Sequence, residues 1–244
     1  MPSVKPSGKR LPLLLMTFRD RKPPSVSINL WFIIPFLIWV VVGGVMLARY
    51  TPRELFETVN AHHTSGLDVL MRNLTNFGDG TAISLILLIL LAASKFRNWW
   101  YVITAVVCNA LPAIFIQVAK GIFNAPRPFE YFKSDPSWIH FNQQWGERLY
   151  HHSFPSGHSG GAFSMYCFLA LLLPRKYRWV GALLFCFALI VGYSRLYLAA
   201  HFFADVYAGS IIGTLTTIMG FAFMKRYVRR FYGDSYRDMS VIDN

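Results

Sequence analysis

The chain has 244 residues, 54% of them hydrophobic, with 24 Lys and Arg against 12 Asp and Glu for a formal net charge of +12. That length suits one domain, but the apolar residues are gathered into long uninterrupted blocks, which excludes an ordinary soluble globule built from short alternating runs. The positive charge does not point to nucleic acid, because the basic residues fall in short loops and tails and not along one soluble face; anionic lipid is the better partner.

Taken in chain order, residues 1–29 form a basic tail. Within it Leu11 to Phe18 is a short apolar run with no small-residue cleavage pattern, followed by Arg19 to Lys22, and it reads as a retained segment with an interfacial turn. Stretches free of Asp, Glu, Lys and Arg then run from Leu30 to Ala48, Trp99 to Ala119, Trp179 to Tyr193 and Val206 to Met224, most of them near the length that crosses hydrocarbon. Two shorter blocks, Gly80 to Ser94 and Ser159 to Leu173, are nearer the length of a buried core helix and cross only if flanking polar residues extend them. The blocks are continuously apolar, whereas the strands of a transmembrane barrel alternate, so the fold class is all-α with six transmembrane helices over residues 30–224 and a tail over 225–244.

Pro35 and Pro112 lie inside these spans, where kinks are expected, and Trp31, Trp99, Trp100 and Trp179 at span ends read as interfacial anchors. Cys108, Cys167 and Cys186 show no paired spacing and read as packing residues. Threading six spans with the amino terminus inside places sixteen basic residues inside and eight outside, which puts both termini in the cytoplasm.

Three short strings stand out on the external side of that threading: Lys120 with Arg127-Pro128, then Pro155-Ser156-Gly157-His158, then Ser194-Arg195 with His201 and Asp205. They supply three cations, two imidazoles and a carboxylate. Phosphoryl transfer without a metal uses such groups: cations for the oxygens, one imidazole as nucleophile, another as acid, and a carboxylate to orient the nucleophile. Lys120 closes the third span, His158 opens the fourth, Arg195 follows the fifth, and His201 with Asp205 opens the sixth, the last two on one helix face at i and i+4. Singly, each string has an ordinary explanation in helix punctuation, a capping Asp, or a snorkelling cation. Those explanations do not account for all three in order on one face of the membrane.

In this order and spacing, Lys120-x6-Arg127-Pro128, Pro155-Ser156-Gly157-His158 and Ser194-Arg195-x5-His201-x3-Asp205 resemble the three-part signature of the type 2 phosphatidic acid phosphatases, a superfamily that includes vanadium haloperoxidases. The resemblance implies that Lys120, Arg127 and Arg195 bind phosphoryl oxygens with help from Ser156 and the backbone at Gly157. It further implies that His201 attacks phosphorus with Asp205 holding its ring, that His158 protonates the departing oxygen, and that water hydrolyses a phosphohistidine.

The expected function is hydrolysis of a lipid phosphate or diphosphate at the outer leaflet of the cytoplasmic (inner) membrane, with the site facing the periplasm or exterior. Undecaprenyl diphosphate, phosphatidylglycerophosphate, phosphatidic acid and a lipid A phosphate are candidate substrates by resemblance. Lipid-to-lipid phosphotransfer uses the same donor-side groups, and a non-enzymatic lipid-phosphate transporter or binding protein is the reading from another class; the latter has no use for both histidines with Asp205. No cofactor, metal, nucleic acid or obligate protein partner is expected. The remaining histidines, His62, His63, His140, His151 and His152, read as solvated. Tyr131, Phe132, Trp138, Phe141 and Trp145, in the loop from Phe129 to Phe154, are expected to dip into the interface and admit a lipid tail.

Overall fold

The computed structural model describes residues 28–93, 99–142 and 147–227; most of both tails, including the Leu11 to Phe18 run, and Trp145 lie outside the described residues. Those residues are helical with no strand. In chain order the helices are α1 (Leu30–Arg49), α2 (Pro52–Asn60), α3 (Ser65–Thr75), α4 (Gly80–Ala92), α5 (Trp99–Phe123), α6 (Pro128–Tyr131), α7 (Gly157–Leu172), α8 (Val180–Tyr197) and α9 (Phe203–Arg226).

Helices α1, α8 and α9, together with the Trp99–Tyr131 stretch that contains α5, are long and apolar enough to cross a bilayer. A fifth crossing is available if Ser65–Gly78 and Gly80–Ala92, which meet at 62°, act as one broken span. The block expected to form the fourth span is α7, only 16 residues or about 24 Å long. Eleven of those residues are buried, so α7 is the central post of the bundle. Its backbone meets that of α9 directly: a Cβ at Gly213 would lie 2.3 Å from the Gly160 carbonyl oxygen, and one at Gly209 2.5 Å from that of Ser156. The Gly209-x3-Gly213 spacing therefore sets how closely the two central helices approach.

Polar ties define the end of the bundle remote from the three strings. The Asn29 side chain caps α1 by accepting from Trp31 N–H at 3.1 Å and donates to Ala170 O at 3.0 Å near the end of α7. Trp100 is fully buried and donates from Nε1 to Met224 O at 3.0 Å, joining the start of α5 to the end of α9. It is thus a packing residue and not the interfacial anchor its position suggests, whereas Trp31, Trp99 and Trp179 are exposed. Cys108 and Cys167 are buried in the core, while Cys186 is exposed.

At the opposite end, α2, α3, α6 and the segment after α6 form a cap. Phe132 is buried against Phe56, Phe129 and Phe202, with Trp138 and Phe141 packed on the cluster. Phe132 is thus committed to the protein interior, Trp138 and Phe141 are half-buried against it, and Tyr131 is exposed. His140 is likewise not solvated. Its Nε2 is 2.9 Å from Asp68 Oδ1, its ring stacks on His63 at 3.6 Å, and Tyr197 donates to the same Asp68 oxygen at 2.6 Å. Asn60 completes the clip by donating to Tyr197 O and accepting from His140 N–H.

Candidate active site

The site is assembled from four helix ends. The last turns of α5 carry Lys120, the first turn of α7 carries His158, the last turn of α8 carries Arg195, and the turn into α9 carries His201 with Asp205 just inside the helix. Two placements differ from expectation. Arg195 lies within α8 and does not follow it, and His201 precedes α9, so the His201–Asp205 pairing is made across a helix entrance and not along one helix face. Lys120, Arg127, Gly157, His158, Arg195 and His201 nevertheless line one cavity of about 600 Å³.

Asp205 is buried and gathers three donors on Oδ2: the Ser153 hydroxyl at 2.5 Å, the Phe202 N–H at 2.9 Å, and His201 Nδ1 at 3.3 Å. A carboxylate oxygen accepts, so the proton of the neutral imidazole belongs on Nδ1 and the lone pair on Nε2. Arg127, which can only donate, agrees with this: its Nη1 lies 3.4 Å from His201 Nε2. The result is an imidazole whose unprotonated nitrogen faces a cationic cavity. Burial, followed by the opposing bond to Asp205 and the neighbouring Arg195 charge, leaves the ring hard to protonate, with its pKa lowered to about 3.

Arg127 also fixes the loops around it, donating from Nε to His151 O at 2.8 Å and from Nη1 to Ala200 O at 2.8 Å. Lys120 donates to His152 O at 2.8 Å. Arg195 is only 7% exposed; its Nη1 donates to the Thr75 hydroxyl at 2.5 Å, and its Nε is buried with no partner among the described residues. Arg195 also lines the cavity, where a guanidinium suits an anionic oxygen.

The Ser156 side chain does not line the cavity. It caps α7, accepting from Ser159 N–H at 3.3 Å and from the Ser159 hydroxyl at 3.0 Å, while its own N–H donates to Asp205 O at 2.9 Å. Its contribution is to hold the start of α7 against α9, so that Gly157 and His158 in the first turn of α7 line the cavity.

Three residues at the site escape the sequence strings: Thr75 behind Arg195, Ser153 behind Asp205, and Asp79, whose Oδ2 is 4.0 Å from His158 Nε2. Ser153 stands two residues before Pro155 but carries no pattern that separates it from an ordinary loop serine. Below the cations the cavity continues between α4 and α5 along Ile83, Leu87, Val106 and Ala110. It therefore joins a charged head to an apolar groove. Among the described residues no cluster of His, Cys, Asp and Glu has the arrangement of a metal site.

A family model described as the PAP2 superfamily matches residues 99–229. The chain is 30% identical over 174 residues to the undecaprenyl-diphosphatase BcrC of Bacillus subtilis, covering 70% of this chain and 82% of that protein. It is 26% identical over 189 residues to an undecaprenyl-diphosphatase of Sulfolobus acidocaldarius, covering 76% and 84%. The crystal structure of Aquifex aeolicus LpxE superposes with a TM-score of 0.59 at 26% identity, covering 72% of this chain and 98% of that one.

Proposed function

The chain belongs to the PAP2 superfamily, and from that membership and the geometry of the cavity we propose that it hydrolyses a lipid phosphate or diphosphate without a metal, through a phosphohistidine on His201. The observation that carries this reading is the cavity in which the unprotonated Nε2 of His201 meets three cations at the head of an apolar groove.

In the proposed reaction Lys120, Arg127, Arg195 and the N–H groups of Gly157 and His158 bind the non-bridging oxygens of the terminal phosphoryl group. His201 Nε2 forms a bond to phosphorus as the phosphorus–oxygen bond to the leaving group breaks, and His158 gives that oxygen a proton. Asp205 accepts from Nδ1–H and stabilises the positive ring that forms. Water then attacks the phosphohistidine, His158 takes its proton, and inorganic phosphate leaves while His201 is regenerated. The cations match the charge that develops on the transferring group, and they do so in a partly dry cavity where such contacts are strongest.

The lipid tail lies in the groove between α4 and α5. Arg175, Lys176, Arg178, Lys225 and Arg226 lie at the other end of the bundle, which supports an external site and a cytoplasmic opposite end. In this arrangement α7, buried on most sides, and the broken α3–α4 pair complete six crossings. Undecaprenyl diphosphate is the first substrate to test, because two relatives carry that name.

The deciding experiment is a phosphate-release screen of purified protein against undecaprenyl diphosphate, phosphatidylglycerophosphate, phosphatidic acid and a lipid A phosphate. Release from at least one at a saturable rate, lost in His201→Ala, is the expected result. Binding without release across the panel and across pH would overturn the enzymatic reading.

A further inference from the structure

The proposed mechanism asks His158 to carry a proton in an unfavourable place. Facing it are Arg195 from α8, Lys120 from α5 and His201 from the turn before α9, two of them cations and none a carboxylate. The exception comes from a part of the chain that the three strings do not touch. Asp79 stands at the joint where the Ser65–Gly78 segment meets α4 at 62°, and its Oδ2 is 4.0 Å from His158 Nε2.

The placement is over-determined. Asp79 caps α4, with Oδ1 accepting from Thr81 N–H at 2.8 Å, which restrains its side chain while leaving Oδ2 uncommitted to the cap. The joint is pressed onto the first turns of α7: a Cβ at Gly78 would sit 2.6 Å from the His158 carbonyl oxygen, and one at Gly161 3.0 Å from that of Gly78. Tyr166 adds a bond from its hydroxyl to Phe77 O at 3.3 Å. Backbone is thus locked to backbone on both sides of the pair, leaving only side-chain rotation to set the gap.

Helix capping alone explains one oxygen of Asp79. It does not explain why the capped helix start is docked against His158, nor why the other oxygen is turned to the imidazole. At 4.0 Å the contact is too long for a hydrogen bond and short enough for a charge interaction, screened in part because the Asp79 side chain is 46% exposed. That combination suits an acid: the carboxylate favours the protonated ring without tying up the proton that must be given away.

We propose that Asp79 is a positioning residue for the reaction, a fixed negative charge that favours the protonated ring of His158 against its burial and the surrounding cations, so that it can donate to the leaving oxygen. The two imidazoles then have separate carboxylates with separate tasks. Asp205 orients the nucleophile through a direct contact on the far side of its ring, and Asp79 charges the acid across a gap. The proposal rests on the reading of His158 as the acid.

The test compares full-length Asp79→Asn, Asp79→Ser and Asp79→Glu with wild type, using undecaprenyl diphosphate in detergent micelles across pH. Asn and Ser are good helix caps, so both keep the structural role and remove the charge. Each should move the basic limb of the kcat profile about one pH unit lower, so that kcat above the limb falls about tenfold while KM changes less than about twofold. Asp79→Glu should restore much of the limb. An unmoved limb in folded Asp79→Asn and Asp79→Ser would reduce Asp79 to a cap and overturn the proposal. His158→Ala separates the two layers: near-normal turnover in that variant would sink the reading of His158 itself, whereas a dead His158→Ala beside an unshifted Asp79→Asn sinks only the role of Asp79.

Discussion

Thr75→Val offers a direct measure of how the cavity holds a phosphate. Thr75 and Arg195 are separated by 120 residues, and the Thr75 hydroxyl is the sole acceptor for the Arg195 side chain among the described residues. Both residues are buried, at 8% and 7% exposure, so water does not readily replace the lost contact. Valine keeps the shape of threonine and removes the hydroxyl. A hydrogen bond from a charged donor contributes about 1.5–3 kcal/mol, and its loss frees a guanidinium that, in the proposed reaction, touches substrate in both ground and transition states. The kcat/KM for undecaprenyl diphosphate should therefore fall about 10- to 100-fold, with both kcat and KM affected. Thr75→Ser, which retains the hydroxyl, should stay within about threefold of wild type. The assay is steady-state phosphate release by purified, monodisperse protein. Activity of folded Thr75→Val within threefold of wild type would refute the reasoning, as would equal damage from Val and Ser.

Four further outcomes follow from the same geometry. His201 is neutral down to about pH 3 in the folded protein, against an ordinary value of 6.5, so kcat/KM, corrected for the substrate's own ionisation, should keep its nucleophile below pH 5; an acid limb at 6.5 assigned to His201 would contradict this. The linkage has a definite sign: the unfolded chain takes up that proton first, so this contribution to stability is complete above pH 6.5 and is lost as pH falls toward 3, which pH-dependent thermal melts can detect. Excess chelator should leave turnover unchanged, and loss restored only by a divalent cation would refute the metal-free reading. Gly213→Ala should cost about 1–3 kcal/mol through overpacking, because its Cβ would meet the Gly160 carbonyl at 2.3 Å; an unchanged melting temperature would show that α7 and α9 are not held as described.

The helical blocks and the three strings were legible because their signals are local. Uninterrupted apolar length marks α1, α5, α8 and α9, and the spacing between His201 and Asp205 or between Lys120 and Arg127 can be read along the chain. Thr75, Asp79 and Ser153 were not legible, because each acts through a partner far away in sequence, 120 residues for Thr75 and 52 for Ser153. The same limit explains His140, whose Asp68 partner is 72 residues distant and whose loop composition resembles a solvated one. Phe132 looks like a membrane-seeking aromatic by composition, yet Phe56 and Phe202, on other elements, bury it. Trp100 differs from Trp99 only in which side of α5 it occupies, and the facing carbonyl of Met224 decides its role. Length misleads in one further way: α7 is too short for a simple span reading because it is surrounded by protein and has little need of a lipid-facing surface.

The central claim is that a nitrogen of His201 bonds to phosphorus during turnover. Mixing purified protein with undecaprenyl diphosphate for milliseconds, quenching in base to preserve phosphohistidine, and mapping the added phosphate by mass spectrometry tests it directly. The account predicts phosphate on the peptide containing His201, absent from His201→Ala together with turnover. Near-normal turnover by His201→Ala, or phosphate carried on a different residue, would contradict it.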